Sequence, residues 1–297
     1  ANMPAASVNT IVTSPPYWGL RDYGNDAQLG LEPTPEAYVA SMVDVFRLAH
    51  RVLRDDGTLW LNLGDTYAGS SMTGGVGKAT QHVTQQGKRK LIDIRHTGMG
   101  KSSVPAKNLL GIPWRVALAL QAAGWVLRSE IIWHKPNPMP ESVQDRCTKA
   151  HEYIFLLSKS QKYYYDHLSI KEPLKGEPET RNKNAEGYQA DYAHGDRFSK
   201  GERVFGADGL ANKRSVWTVT TKPYDGAHFA VFPQDLIEPC IMAGAPVGGV
   251  VLDPFMGSGT TAQVAQNLGR KYLGCELNSD YKPLQDKRLR QMSLELL

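Results

Sequence analysis

Val250-Val251-Leu252-Asp253-Pro254-Phe255-Met256-Gly257-Ser258-Gly259-Thr260-Thr261 is the stretch on which the reading of this chain turns. Three apolar residues make a short buried strand that runs into Asp253. A turn follows, and then a helix over 260–268. Glycines at 257 and 259 let the backbone approach a ligand closely. The next strand, Tyr272-Leu273-Gly274-Cys275, ends at an acid, Glu276. Strand, glycine turn, helix and strand form the nucleotide-type unit of an α/β protein with a mainly parallel sheet.

That unit alone leaves its ligand open. Gly257-x-Gly259-x-x-Ala262, with Glu276 downstream, meets the loose dinucleotide fingerprint. A phosphate-binding P-loop is excluded, because no Gly-Lys-Ser/Thr follows. Asp253 narrows the choice. It stands at the mouth of the turn, where a carboxylate repels a pyrophosphate and attracts a cation. S-adenosyl-L-methionine carries an ammonium and a sulfonium and no phosphate. Glu276, at the next strand end, suits a ribose diol, since a carboxylate accepts from both hydroxyls.

Outward from this unit, strands alternate with helices. Residues 8–12 form a strand that stops at Pro15-Pro16, which cannot continue a ladder. Thr34 is an N-cap with Pro35 at the first helical position, and Tyr38, Met42, Phe46 and Ala49 share one face of a helix over 35–53. Asp56-Gly57 marks a turn before a strand over 58–63. Further strands are read at 125–133, 151–157 and 215–219. Further helices are read at 112–123, 233–243 and 280–295. The fold expected is a Rossmann-like α/β domain, its mostly parallel sheet covered by helices on both faces.

The bulk numbers agree with one such domain. The chain has 297 residues, 41% hydrophobic and 22% charged, which is ordinary for a globular protein. No apolar run is long enough for a transmembrane helix, and residues 1–8 lack the pattern of a signal peptide. Cys147, Cys240 and Cys275 are far apart with no CxxC pair, so neither a zinc site nor a disulfide framework is expected. The net charge is +4, but residues 72–107 hold seven basic residues against one acid, Asp93. The positive excess is therefore concentrated in one glycine-rich segment, as a nucleic-acid-facing loop requires.

A second run stands near the start: Thr13-Ser14-Pro15-Pro16-Tyr17-Trp18. Together, and in this order, the two runs resemble the motifs of the amino-methyltransferases that act on DNA bases. The catalytic run precedes the cofactor run, which is the circularly permuted order of that family's beta group. The resemblance implies an S-adenosylmethionine-dependent, site-specific DNA methyltransferase. Its adenine enzymes usually carry Asp or Asn at the first motif position and its cytosine enzymes usually Ser. Ser14 therefore points to N(4)-methylcytosine, with adenine-N(6) as the alternative. An RNA or protein methyltransferase, or an inactive DNA-binding homologue, is a more distant one.

The chemistry suits those residues. An exocyclic amine is a poor nucleophile, because its lone pair is delocalised into the ring. Two acceptors on its hydrogens push it toward tetrahedral geometry, and no strong base is needed. The Ser14 hydroxyl and the Pro15 carbonyl are such acceptors; Pro16 stiffens the turn; Tyr17 offers a stacking face to a flipped base. The resemblance implies that Asp253, Pro254, Phe255, Gly257, Ser258, Gly259, Thr260 and Glu276 hold the donor, with Thr13, Phe232 and Pro233.

The same resemblance divides the chain. Residues 1–157 are the catalytic half, with the basic loop at 66–107. Residues 158–214 are an inserted target-recognition lobe, and residues 215–297 are the cofactor half. Residues expected to face DNA are Trp18, Lys135, Asn137, Lys88, Arg89, Lys90, Arg181, Arg197 and Arg203. Asp65 is read either as a cleft residue or as a helix cap. The partner expected is double-stranded DNA, with a cognate restriction endonuclease encoded elsewhere. A monomer or homodimer is expected, cytoplasmic and nucleoid-associated or else phage-encoded, with no metal.

Overall fold

The computed structural model describes residues 3–20, 27–69, 81–83, 89–91, 104–175, 179–181, 203–205, 208–221 and 232–290. These fall into two units, Ala1–Asp166 with Ser215–Leu297, and His167–Arg214.

The first unit opens with β1 (Val8–Thr13) and α1 (Pro35–Val52). Thr34 caps α1 as expected: its hydroxyl accepts from Ala37 N at 3.1 Å. The chain then passes directly into β2 (Leu53–Leu63), which begins earlier than the Asp56-Gly57 turn signal suggested. That turn is a bulge inside the strand. Pairing with β1 jumps from Val8↔Leu53 to Thr10↔Thr58, so residues 54–57 are looped out of register.

Two short strands within the basic segment, β3 (Gln81–Val83) and β4 (Arg89–Leu91), pair antiparallel. The roots of that segment are clipped together. Ala68 N donates to Asn108 O, Lys107 N to Ala68 O and Leu110 N to Thr66 O, all at 2.8–2.9 Å. Next come α2 (Ile112–Ala122), β5 (Val126–His134) and β6 (His151–Ser158).

The second unit carries β7 (Glu172–Pro173), β8 (Glu179–Arg181), β9 (Arg203–Phe205) and β10 (Leu210–Ala211), paired β7 with β10 and β8 with β9. Ion pairs Lys171–Asp208 and Arg214–Glu172 lie inside it. It begins later in the chain than the sequence suggested, because residues 158–166 belong with the sheet. Tyr164 N donates to Asp56 O, Asp166 N donates to Ala243 O, and the Tyr165 ring stacks on Trp60 at 6.2 Å.

The chain returns through β11 (Val216–Thr218), α3 (Gln234–Gly244), β12 (Val250–Asp253), α4 (Thr260–Asn267) and β13 (Lys271–Gly274). A 3-10 turn (Ser279–Tyr281) precedes α5 (Lys282–Arg290), so the last helix starts later than expected. Pro283, tolerated only in a first helical turn, fits that start.

The seven-stranded sheet has the order β11-β5-β6-β2-β1-β12-β13. Every neighbouring pair is parallel except the two made by β6, which runs against both β2 and β5. The alternation of side chains along β2 shows both faces covered. Leu59, Leu61 and Leu63 join a core with Tyr38, Met42 and Phe46 of α1 and Val116 and Leu120 of α2. Thr58 and Trp60 face the other way, under α3. There a Cβ on Gly244 would stand 2.9 Å from each of their polar side-chain atoms.

Candidate active site

β1 and β12 are neighbours, with Ile11 opposite Leu252, so the two sequence runs emerge side by side at the carboxyl ends of their strands. Open α/β sheets bind ligands there. The link is direct: the Thr13 hydroxyl donates to Asp253 Oδ1 at 2.6 Å.

The glycine turn is largely self-satisfied. Asp253 is 3% exposed. It accepts from Thr13, from Phe255 N at 3.0 Å and from the Thr261 hydroxyl at 2.7 Å. Burial pushes its carboxyl up to about 6, against the downward pull of those three donors. Glu276 accepts from Gly257 N at 2.7 Å and from Asn278 N at 2.8 Å. Each acid, expected to face a ligand, thus also shapes the turn around it. Gly257 and Gly259 have φ of +52° and +88°, the left-handed region open to glycine. One group is left over. Ser258 Oγ is buried with no hydrogen-bond partner among the described residues, at the start of α4. A buried hydroxyl without a partner is costly and uncommon. A ligand carboxylate seated at this helix N-terminus would supply the partner it lacks.

The Ser14–Tyr17 turn is held from several sides. Pro16 O accepts from Tyr38 OH of α1 at 2.9 Å. The Tyr17 ring lies against Gly64, where a Cβ would come within 2.5 Å of its Cε2. Ser14 Oγ donates to Tyr17 OH at 3.4 Å, a long bond. Tyr17 OH in turn meets Glu152 Oε2 at 2.7 Å and Asn62 Oδ1 at 3.1 Å. Burial, and then the charge of Glu152, hold the Tyr17 phenol well above its ordinary value, so it stays protonated and donates.

Glu152 was missed by sequence reasoning. β6 is reversed, so its first residues meet the last residues of its neighbours, with Glu152 opposite Trp133 and Tyr153 opposite Leu63. An acid at the start of a strand thereby enters a site otherwise drawn from strand ends. The other Glu152 oxygen pairs with Lys135 Nζ, which sits 4.2 Å from the Trp133 ring centroid. The detectable signal was the polar pair His151-Glu152 ahead of an apolar strand.

Both readings of Asp65 hold: it stands in the wall of the cleft between the two turns, and it caps α2. Its Oδ1 accepts from Ile112 N at the start of α2 and from Thr66 N, each at 2.9 Å. Its carbonyl accepts from Lys149 Nζ at 2.7 Å, and burial lowers that ammonium's pKa.

A single cleft of about 1100 Å³ joins the two turns. Ser14, Pro15, Pro16 and Tyr17 line one part; Asp253, Pro254, Phe255, Gly257, Ser258, Thr260 and Glu276 line another, with Phe232. Thr13, Pro233 and Gly259 are not in its wall. That volume is at the upper end for a ligand site, where pockets run to roughly 1,000 Å³.

The residues expected to face DNA separate. Lys135 and Asn137 line the cleft. Both ends of the Asn137 amide are engaged by the Thr221 backbone at 3.1 Å. Trp18 is a correction. It is 5% exposed within the core, and its indole N–H donates to Glu32 O at 2.9 Å. Turning it outward would forfeit that bond and about 2 kcal/mol of burial. Arg89 and Lys90 fall on β4, Arg181 on β8 and Arg203 on β9. Lys88 and Arg197 lie outside the described residues.

The sequence profile of the DNA methylase family, the N6/N4 methyltransferases, matches residues 8–287. The type II methyltransferase M.SmaI of Serratia marcescens is 46% identical over 279 residues, covering 94% of this chain and 83% of its own length. Among solved structures, the PvuII DNA methyltransferase, named as cytosine-N4-specific, superposes with a TM-score of 0.61 at 18% identity, over 97% of this chain and 81% of that one. The M1.HpyAVI–SAM complex superposes with a TM-score of 0.51 at 16% identity, over 95% and 89%. No helix among the described residues is long and apolar enough to cross a membrane. The profile spans both runs and every strand of the sheet, and on that breadth the chain belongs to the DNA methylase family of N6/N4 amino-methyltransferases.

Proposed function

We propose that this DNA methyltransferase transfers a methyl group from S-adenosyl-L-methionine to the N4 amino group of a cytosine flipped out of duplex DNA. The observation that carries cytosine is Ser14 at the head of a cleft-lining turn, directly after the strand that runs beside β12. The cytosine-N4-specific enzyme among its structural neighbours supports the same reading.

The donor supplies an electrophilic methyl group on a sulfonium. Asp253 favours that cation through space and fixes the turn beneath it. Ser258 and the N–H groups at the start of α4 take the donor's carboxylate. Glu276 keeps lone pairs for a ribose diol. At the other end, the Ser14 hydroxyl and the Pro15 carbonyl accept from the amino hydrogens and localise the nitrogen lone pair. Tyr17 bounds the base. Held in one cleft, amine and methyl would meet without a strong base: the N–C bond forms as the S–C bond breaks, the donor would leave as a neutral thioether, and the alkylated nitrogen would release its extra proton to water, so that rate comes from position and preorganised dipoles. Residues 167–214 and the basic segment rooted at Ala68 and Lys107 supply DNA recognition. Lys135 faces DNA near the flipped base, while Asn137 orders the turn that carries it.

The test is direct. The protein is incubated with S-adenosyl-L-methionine and unmethylated plasmid DNA, and the nucleosides are identified by mass spectrometry. N(4)-methylcytosine is expected. N(6)-methyladenine would keep donor and fold and overturn the inference from Ser14.

A further inference from the structure

Outside the two sequence motifs, Glu152 ties three parts of the cleft together. Its two oxygens engage Tyr17, Asn62 and Lys135, which come from the Ser14–Tyr17 turn, the end of β2 and the exit of β5. Its side chain is 15% exposed and that of Lys135 is 18% exposed, so neither is a solvated surface charge. A purely structural acid need not reach the cleft wall, yet Glu152, Tyr17, Asn62 and Lys135 all line it.

We propose that Glu152 is a positioning residue for methyl transfer: by accepting from Tyr17 OH it locks the rotation of the Tyr17 ring against which the target base is placed. The inference rests on reading the chain as a base methyltransferase, and not on cytosine over adenine. Glu152 itself makes no bond to the reacting atoms. It acts by reach and acceptor geometry, with Lys135 neutralising its charge and Asn62 sharing the Tyr17 hydroxyl. Misplacing a group that positions substrate by about 1 Å costs on the order of 100-fold in rate.

The experiment is single-turnover methyl transfer to unmethylated plasmid DNA, with donor affinity measured separately by calorimetry. Glu152→Ala is expected to slow transfer roughly 100-fold and leave donor affinity within about twofold, since the glycine turn is separate. Glu152→Gln, whose amide oxygen still accepts from Tyr17, recovers most of the rate. Glu152→Asp keeps the charge but withdraws the carboxylate, and is slow. Tyr17→Phe removes the hydroxyl, so adding Glu152→Ala to it slows transfer little further. The proposal is overturned if the Tyr17 and Glu152 effects multiply, if the Asp variant matches wild type, or if the Gln variant is as slow as the Ala variant. Should the Ala variant fail to fold, the Asp and Gln variants decide in the same way. Wild-type protein that methylates nothing defeats the function proposed above; normal transfer by the Glu152→Ala or Glu152→Asp variant defeats this inference alone.

Discussion

The two ends of the cleft are built in opposite ways. At the glycine turn most contacts are short in sequence: Asp253 to Phe255, Asp253 to Thr261, Gly257 to Glu276. At the Ser14–Tyr17 turn the Tyr17 hydroxyl reaches far along the chain, to Asn62 and to Glu152. The first end is a motif that folds onto itself. The second is a meeting place for β1, β2, β5 and β6. A change at the first end should therefore alter donor binding, and a change at the second should alter transfer at constant donor affinity.

Asp253→Ala should break the first end most severely. It strips the acceptor from Thr13, Thr261 and Phe255 N together, and calorimetry should show donor affinity lower by at least roughly 100-fold. Ser14→Ala tests the other end. Single-turnover transfer should fall about 100-fold with donor affinity unchanged, and a loss of donor affinity would blur the two ends into one. A pH series sharpens the contrast. Asp253 titrates at about 6, so donor affinity should fall about tenfold between roughly pH 7 and pH 5 as the carboxylate is neutralised. In the donor-free protein the same raised pKa has the opposite effect. It favours the folded state below the ordinary carboxylate range, and that contribution is lost as pH rises through about 6. Gly64→Ala is milder. The added methyl meets the Tyr17 ring, and transfer should slow about fivefold while the calorimetric titration stays as in wild type. Arg47→Ala, at an exposed pair with Asp44, should move the thermal midpoint by less than the equivalent of about 0.5 kcal/mol and neither end of the cleft.

That contrast also explains what was legible beforehand. The glycine turn, the strands flanking it and the Thr34 cap were readable because each is written in consecutive residues. The two motifs pointed to one site without saying which strands pair, and the neighbouring β1 and β12 with the Thr13–Asp253 bond supply that. Glu152 was not readable, because its place depends on β6 running backwards, and an apolar strand such as Ile154–Leu157 has no direction in its composition. Trp18 misled for a related reason. An aromatic next to Tyr17 fits a base platform as well as it fits a core, and only Glu32 and the packing around α1 decide. The start of β2 was misplaced because Asp56-Gly57 signals a turn and a bulge equally.

The clip between Thr66–Ala68 and Lys107–Leu110 carries one last consequence. The chain is zipped where the basic segment leaves and rejoins the sheet unit. Lengthening such a loop costs only about 0.6 kcal/mol per doubling. A change of length beyond that clip should therefore leave the pairing of the sheet as it is.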